Sequence, residues 1–517
     1  MSRQRAAIWP AALAVAAGLC LVSPWRSGAS SDGIAVFRTA ASLAFEGTFV
    51  LPKAPPGATL DPFYFPPSPD GAGVVSIYAP LGALVGAVLL RIATVAPSPE
   101  LAGTLADGLA SLAPIAAMSL AVFPFARLLR QGGALKRSAP WLAAALVLGT
   151  FLGPLGISDF QEPWLVLLVP VALDRALVSR LLRGEKRNTA LALAGVALSI
   201  AILAKPTAVG LLPVLALPAL VPRTGERRGP GILALGLAAV PGAAFALALN
   251  ASRFGNPFET GYGAALLHPL ARAVSPPWTV LRLTLLPNRG LLWYAPLLFV
   301  LPFVVPELLR GRRKVVVATA ALGFTVFFAA NVTWFAWEGG FGWGPRLLAP
   351  AVACLAPLLA ARGTVLRLAA FLAVAGTVAN LPSYLLEPGR LYRFAAARSG
   401  TDPLGPVVPI HRRSAGEGEL EPLQRAHYVP GLAPVLVGPR LLVGLVLHGD
   451  GPEAGAGSSR RSHDAAILRV ALGQPSGGGS DTGNLLLAEA WVTAGSDPAR
   501  ARRMTGWAAR FGAGPGR

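Results

Sequence analysis

Runs of about twenty consecutive apolar residues recur from the N-terminus to about residue 382, each near the length that crosses a bilayer as a helix. In lipid a backbone must satisfy its own hydrogen bonds, so runs this continuous fold as helices. They lack the alternation of a membrane β-barrel. The chain has 517 residues, 54% of them hydrophobic and 14% charged, too little charge to cover a soluble protein of this size. The expected fold is an all-α polytopic membrane protein. Its net charge of +20 would suggest nucleic acid in a soluble chain. Here Lys and Arg gather in short loops between apolar runs, the positive-inside pattern, so no nucleic-acid partner is expected. Both cysteines, Cys20 and Cys354, fall inside apolar runs, which argues against structural disulfides and cysteine metal sites.

Loop charge sets the topology. Arg3 and Arg5 precede the run 6–22, which reads as an uncleaved first helix with its N-terminus inside. Residues 25–102 form a long first outside loop. Within it, 77–95 is long enough to span but holds Pro80, two glycines and Arg91. Laying it along the interface puts the basic loop Arg127–Arg137 inside, which decides the choice. Later helices follow at 103–126, 140–157 and 164–178, as a pair flanking Lys205-Pro206, and at 231–250, 291–309, 315–332, 347–361 and 364–382. That gives about eleven spans in a domain of residues 1–387. Residues 388–517 read as an outside, Gly- and Pro-rich tail with a possible small appendage, and 429–447 as a surface-docked segment.

The inside loops are basic and otherwise plain. The outside loops carry Asp32, Glu46, Asp61, Asp70, Asp159, Glu162, Glu259 and Glu338. A carboxylate so near lipid costs least when paired, hydrated or bound to a cation, which makes it a functional candidate. Asp32, just beyond the first helix, has two readings: an N-cap for the stretch 34–46, or a general base or metal-holding carboxylate. Asp159 and Glu162 either begin the next helix or orient a cation or an acceptor hydroxyl. The segment from Asn331 to Arg346 sets Trp337, Glu338 and Trp343 among four glycines. Glycines admit a ligand to the backbone, aromatics stack on sugars or lipid tails, and Arg346 can grip phosphate bidentately. Lys205 is either a second phosphate contact or a snorkelling lysine.

There is no phosphate-binding glycine loop, dinucleotide fingerprint or zinc motif, and the five histidines are scattered. The chain does resemble the GT-C superfamily of integral-membrane glycosyltransferases that use polyprenyl-phosphate sugars, especially bacterial relatives of protein O-mannosyltransferases and lipid A aminoarabinose transferases. The resemblance covers about residues 1–390. It rests on Ser31-Asp32-Gly33, on 40–47, on the Asp159 loop, on Arg253–Tyr262 (which includes Glu259), on Asn288–Pro296 and on Trp337–Arg346. Many relatives carry two adjacent acids in the first loop, whereas Gly33 follows Asp32 here.

The resemblance implies a bacterial inner-membrane enzyme that moves a sugar from a polyprenyl-phosphate donor to an outside glycan, lipid or protein. Asp32 is then the base, Arg346 and Lys205 hold the donor phosphate, and Asp159 and Glu162 orient the acceptor or a cation. Trp337, Glu338, Trp343, Glu259 and Tyr262 contact substrate, and a divalent cation is a candidate cofactor. The rival is a non-catalytic carrier or assembly protein for envelope lipid or polysaccharide.

Overall fold

The computed structural model describes residues 3–22, 31–52, 65–158, 161–221, 227–261, 276–311, 313–334, 337, 339, 342–385, 433, 435–436 and 503. Among these the protein is almost entirely helical. Five helices are long and apolar enough to cross a membrane, at 101–132, 184–204, 228–254, 314–332 and 363–385. The chain is a multi-pass membrane protein.

Helical segments lie at each place where an apolar run occurs. They are α1 (Arg3–Val22), α4 (Pro99–Gly132), α5 (Ala139–Leu148) with the one-turn α6 (Leu152–Leu155), α7 (Glu162–Ser179), α8 (Gly184–Ala204), α9 (Leu211–Leu220) and α10 (Arg228–Phe254). After the short α11 (Pro276–Thr284) come α12 (Leu291–Tyr294), α13 (Leu301–Arg310), α14 (Lys314–Val332), α15 (Ala349–Cys354) and α16 (Gly363–Leu385). The expected single helices at 291–309 and 347–361 are interrupted. Pro296 heads a 3₁₀ turn at Pro296–Val300, and a second 3₁₀ turn follows α15 at Ala356–Leu359. A proline lacks the N–H that an α-turn needs, so each break falls where the ladder loses a donor.

The described residues between α1 and α4 carry regular structure. They contain α2 (Ser31–Glu46), a two-stranded antiparallel ribbon and α3 (Pro80–Ala93). In the ribbon, β1 (Val50–Leu51) pairs with β2 (Val74–Val75), Val50 opposite Val75 and Leu51 opposite Val74. A Cβ on Gly73 would stand 2.0 Å from the Leu51 carbonyl, so the close strand approach requires glycine. α3 has 14 residues, about 21 Å, against a hydrocarbon core of about 30 Å. It packs on α2 and α4 through Ala83, Ala87 and Leu90.

The main core runs through α1, α4, α5, α7, α8, α9, α15 and the C-terminal part of the bundle. α8 pairs most extensively with α10, and α7 packs between α4 and α8. The two ends of the bundle differ in charge. At one end Arg180 donates to the Val221 carbonyl, Arg187 to Arg227 and Ala219, and Arg362 to Gly133. At the other end α8 finishes at Ala204, just before Lys205, α7 begins at Glu162 and α10 finishes at Phe254, just after Arg253. Beyond residue 385, Ala433 and Val435 are buried in the main core. Leu436 packs against that core and Arg503 Nη2 lies 3.4 Å from Glu46 Oε1; otherwise the expected tail and appendage, and nearly all of 429–447, lie outside the described residues.

Candidate functional site

α2 begins with Asp32 in its first turn, the position that an N-cap reading and an exposed-acid reading both predict. The Asp32 carboxylate reaches beyond the helix. Oδ2 accepts from Arg346 Nη2 at 2.7 Å, and Oδ1 accepts from the Tyr78 hydroxyl at 2.6 Å. Arg346 follows the glycine-rich loop and opens a 3₁₀ turn, Arg346–Leu348. Its Nε donates to the Gly339 carbonyl, and its Nη1 stands 3.8 Å from Glu162 Oε2. Glu162, in the first turn of α7, is also 3.3 Å from Lys205 Nζ. Lys205 is fixed because Pro206 forces the residue before it out of helical geometry (φ −160°, ψ 119°), so α8 stops there.

The fold thus joins Asp32, Glu162, Lys205 and Arg346 in one chain of ion pairs. Arg346 bridges the two acids with its side chain 10% exposed, while Glu162 is 5% and Asp32 17% exposed. Burial alone would push the Asp32 carboxyl up. The Arg346 guanidinium, the Tyr78 hydroxyl and Lys205 outweigh it, and Asp32 titrates below its ordinary value. The two acids likewise hold Arg346 above its ordinary value despite burial.

The aromatic part of the expectation is corrected. Trp343 is 1% exposed; its indole N–H donates to Asn380 Oδ1 at 2.7 Å and its ring meets Tyr294 edge-on. Trp337 is 2% exposed, with Arg282 lying over its ring. Both rings are core packing and offer no face to a ligand. Gly344 is needed in that core: its φ is +60°, and a Cβ would lie 2.9 Å from Tyr294. The fully buried Arg289 ties the loop down by donating to the carbonyls of Gly342 and Gly344. Glu259 closes its own turn, where its Oε1 accepts from the Gly261 N–H at 2.8 Å. Asp159, Glu338 and Tyr262 lie outside the described residues, as does Asp61.

Three residues complete the site: Tyr78, which sequence reasoning passed over, and Arg253 and Gln161, which it met only within the motifs 253–262 and 159–163. Tyr78 reaches Asp32, and Arg253 and Gln161 hold the backbone on either side of Tyr78. The segment Tyr78-Ala79-Pro80, an aromatic just before a proline-headed helix, was the available signal.

Among the described residues no three His, Cys, Asp or Glu side chains come together. A guanidinium also bridges Asp32 and Glu162, the two acids that a cation would need.

No family model matches the chain, and no curated protein does. Among solved structures it resembles the oligosaccharyltransferase AglB of Archaeoglobus fulgidus in complex with an inhibitory peptide and a dolichol-phosphate, at 14% identity and TM-score 0.45, over 93% of this chain and 61% of that one. It also resembles ArnT of Cupriavidus metallidurans bound to undecaprenyl phosphate, at 14% identity and TM-score 0.47, over 97% of this chain and 75% of that one. The chain spans less than two thirds of the length of the oligosaccharyltransferase.

Proposed function

We propose that the protein is a glycosyltransferase that moves a sugar from a polyprenyl-phosphate-linked donor to an acceptor hydroxyl on the non-cytoplasmic side of a bacterial inner membrane. The observation that carries the reading is the buried guanidinium of Arg346 joined to Asp32 and Glu162, with Lys205 behind. The sequence resemblance supports it as well.

The four side chains sum to zero charge: two carboxylates, one guanidinium, one ammonium. Transfer of this kind shifts charge within such a group. The acceptor oxygen attacks the anomeric carbon as its proton passes to the Asp32 carboxylate. The bond from that carbon to the phosphate oxygen breaks, and the bonding pair leaves with the polyprenyl phosphate. The anomeric configuration inverts. Negative charge is thereby lost at Asp32 and gained on the leaving phosphate. Arg346, released from a neutralised Asp32, and Lys205 are the cations that receive it. An ionised, low-pKa Asp32 is a weak base at rest, and its proton uptake becomes favourable as Arg346 turns to the phosphate. Glu162 keeps both cations in place, and Asp159 is assigned to the acceptor side.

Membrane vesicles from cells that make the protein contain both donor and acceptor, so release of free polyprenyl phosphate, read by mass spectrometry, tests the proposal. Asp32→Asn should abolish release while still binding undecaprenyl phosphate. Arg346→Lys keeps the charge but loses the two-pronged grip, and should slow release about 10²-fold. A carrier would instead move lipid at an unchanged rate in both variants. Envelope glycans identical with and without the chain would overturn the transferase reading.

A further inference from the structure

We propose that Tyr78 is a positioning residue for Asp32: its phenol holds one carboxylate oxygen, while Arg253 and Gln161 fix the backbone that carries it. The inference rests on the reading of Asp32 as the base.

The case begins with how tightly this short segment is held. Arg253 Nη1 donates to the carbonyls of Ser76 (3.0 Å) and Tyr78 (2.7 Å), straddling Ile77. Gln161 Nε2 donates to the next carbonyl, Ala79, at 3.2 Å. The Tyr78 N–H donates to Ser76 Oγ at 3.2 Å. The segment is therefore gripped from the end of α10, from the start of α7 and from within. Just upstream, β2 ties it to β1, which the Ser42 hydroxyl of α2 also engages through the Val50 carbonyl. Gly261 packs on Ile77 so closely that a Cβ would lie 2.7 Å from the isoleucine side chain, and Glu259 caps that turn.

Arg253 is 4% exposed, and Asn250 Oδ1 accepts from its other terminal nitrogen at 2.9 Å. A buried guanidinium costs desolvation, and backbone carbonyls offset that only in part. Such a side chain is retained where the backbone it fixes matters. The side chain that this backbone presents to the site is Tyr78. Its hydroxyl sets the rotation of the Asp32 carboxylate, so that Oδ2 faces Arg346 while Oδ1, held by the phenol, keeps a second lone pair for an acceptor hydroxyl.

The groups facing Asp32 are Tyr78 from the α3 approach, Arg346 after the glycine-rich loop and Lys205 at the end of α8. Glu162 of α7 acts through the last two. A phenol that donates to the carboxylate favours the ionised form, so its removal raises the carboxyl pKa.

Tyr78→Phe should therefore move the acid limb of polyprenyl phosphate release, in the vesicles above, up by about one pH unit, a tenfold loss of rate below the limb. Its alkaline plateau should stay within a few-fold of wild type. Arg253→Met should shift the limb in the same direction, with Arg253→Lys between it and wild type. The acid limb of thermal unfolding, which needs no donor, should shift likewise, and Asp32→Asn should erase the effect of Tyr78→Phe on it. Unfolding and rate limbs that do not move in Tyr78→Phe would overturn the inference. Vesicles in which wild type releases no more polyprenyl phosphate than Asp32→Asn would instead overturn the transferase reading, and the unfolding limb would still decide the role of Tyr78.

Discussion

Asp32 shows how a single carboxylate sets a measurable dependence on pH. It titrates below its ordinary value because Arg346, Tyr78 and Lys205 stabilise the ionised form more than burial opposes it. A group whose folded pKa is depressed contributes stability that is complete above its unfolded pKa and lost as pH falls through the folded one. The protein in detergent should therefore unfold at a constant temperature as pH drops from 7 to about 4, then lose stability below that. Asp32→Asn should flatten the acid decline, since an amide carries no proton to take up. An equal decline in both proteins would show that other carboxylates govern acid unfolding. Asp32, Glu162, Lys205 and Arg346 were legible in the sequence because ionised groups beside lipid are expensive and stand out. Tyr78, Arg253 and Gln161 did not, since a phenol near an interface or an arginine bound to backbone looks ordinary. Trp337 and Trp343 misled for a related reason: interfacial and core tryptophans share one sequence context.

At the scale of elements, the apolar runs located the helices and Lys205-Pro206 one of their breaks, whereas the breaks at Pro296 and in 356–359 fell inside runs read as continuous helix. The junction of α8 at Lys205-Pro206 is the informative one. Pro206 keeps Lys205 extended, which aims its ammonium at Glu162. Pro206→Ala removes that bias and lets α8 run on, turning Lys205 away by about 100° of helix per residue. Turnover should fall about tenfold, the scale of one lost charge contact of about 1.4 kcal/mol, while the unfolding temperature changes little. Retained turnover would mean that Lys205 is dispensable. The ribbon β1–β2 was not legible at all. Two-residue strands carry no periodicity, and a glycine at 73 identifies their close approach only after the partner strand is known.

Across the whole molecule, charge is sorted end to end. The ion-paired site lies where α7 begins and α8 and α10 finish, whereas Arg180, Arg187, Arg227 and Arg362 gather at the opposite ends of the bundle. By the positive-inside rule such a gradient predicts that the basic end lies in the cytoplasm. The proposed function needs the site to open to the other side, where a lipid-linked sugar presented by the outer leaflet can reach it. Cysteine mapping tests this directly. With Cys20 and Cys354 replaced by alanine, single cysteines at Ala72→Cys, in the exposed turn before β2, and Lys186→Cys, on the exposed start of α8, report on the two ends. A membrane-impermeant maleimide should label Ala72→Cys in intact cells, and Lys186→Cys only after permeabilisation. The reverse pattern would put Asp32 and Arg346 in the cytoplasm, where they could not meet an outer-leaflet donor, and the chemistry assigned to them would have to be abandoned even with every distance in the site unchanged.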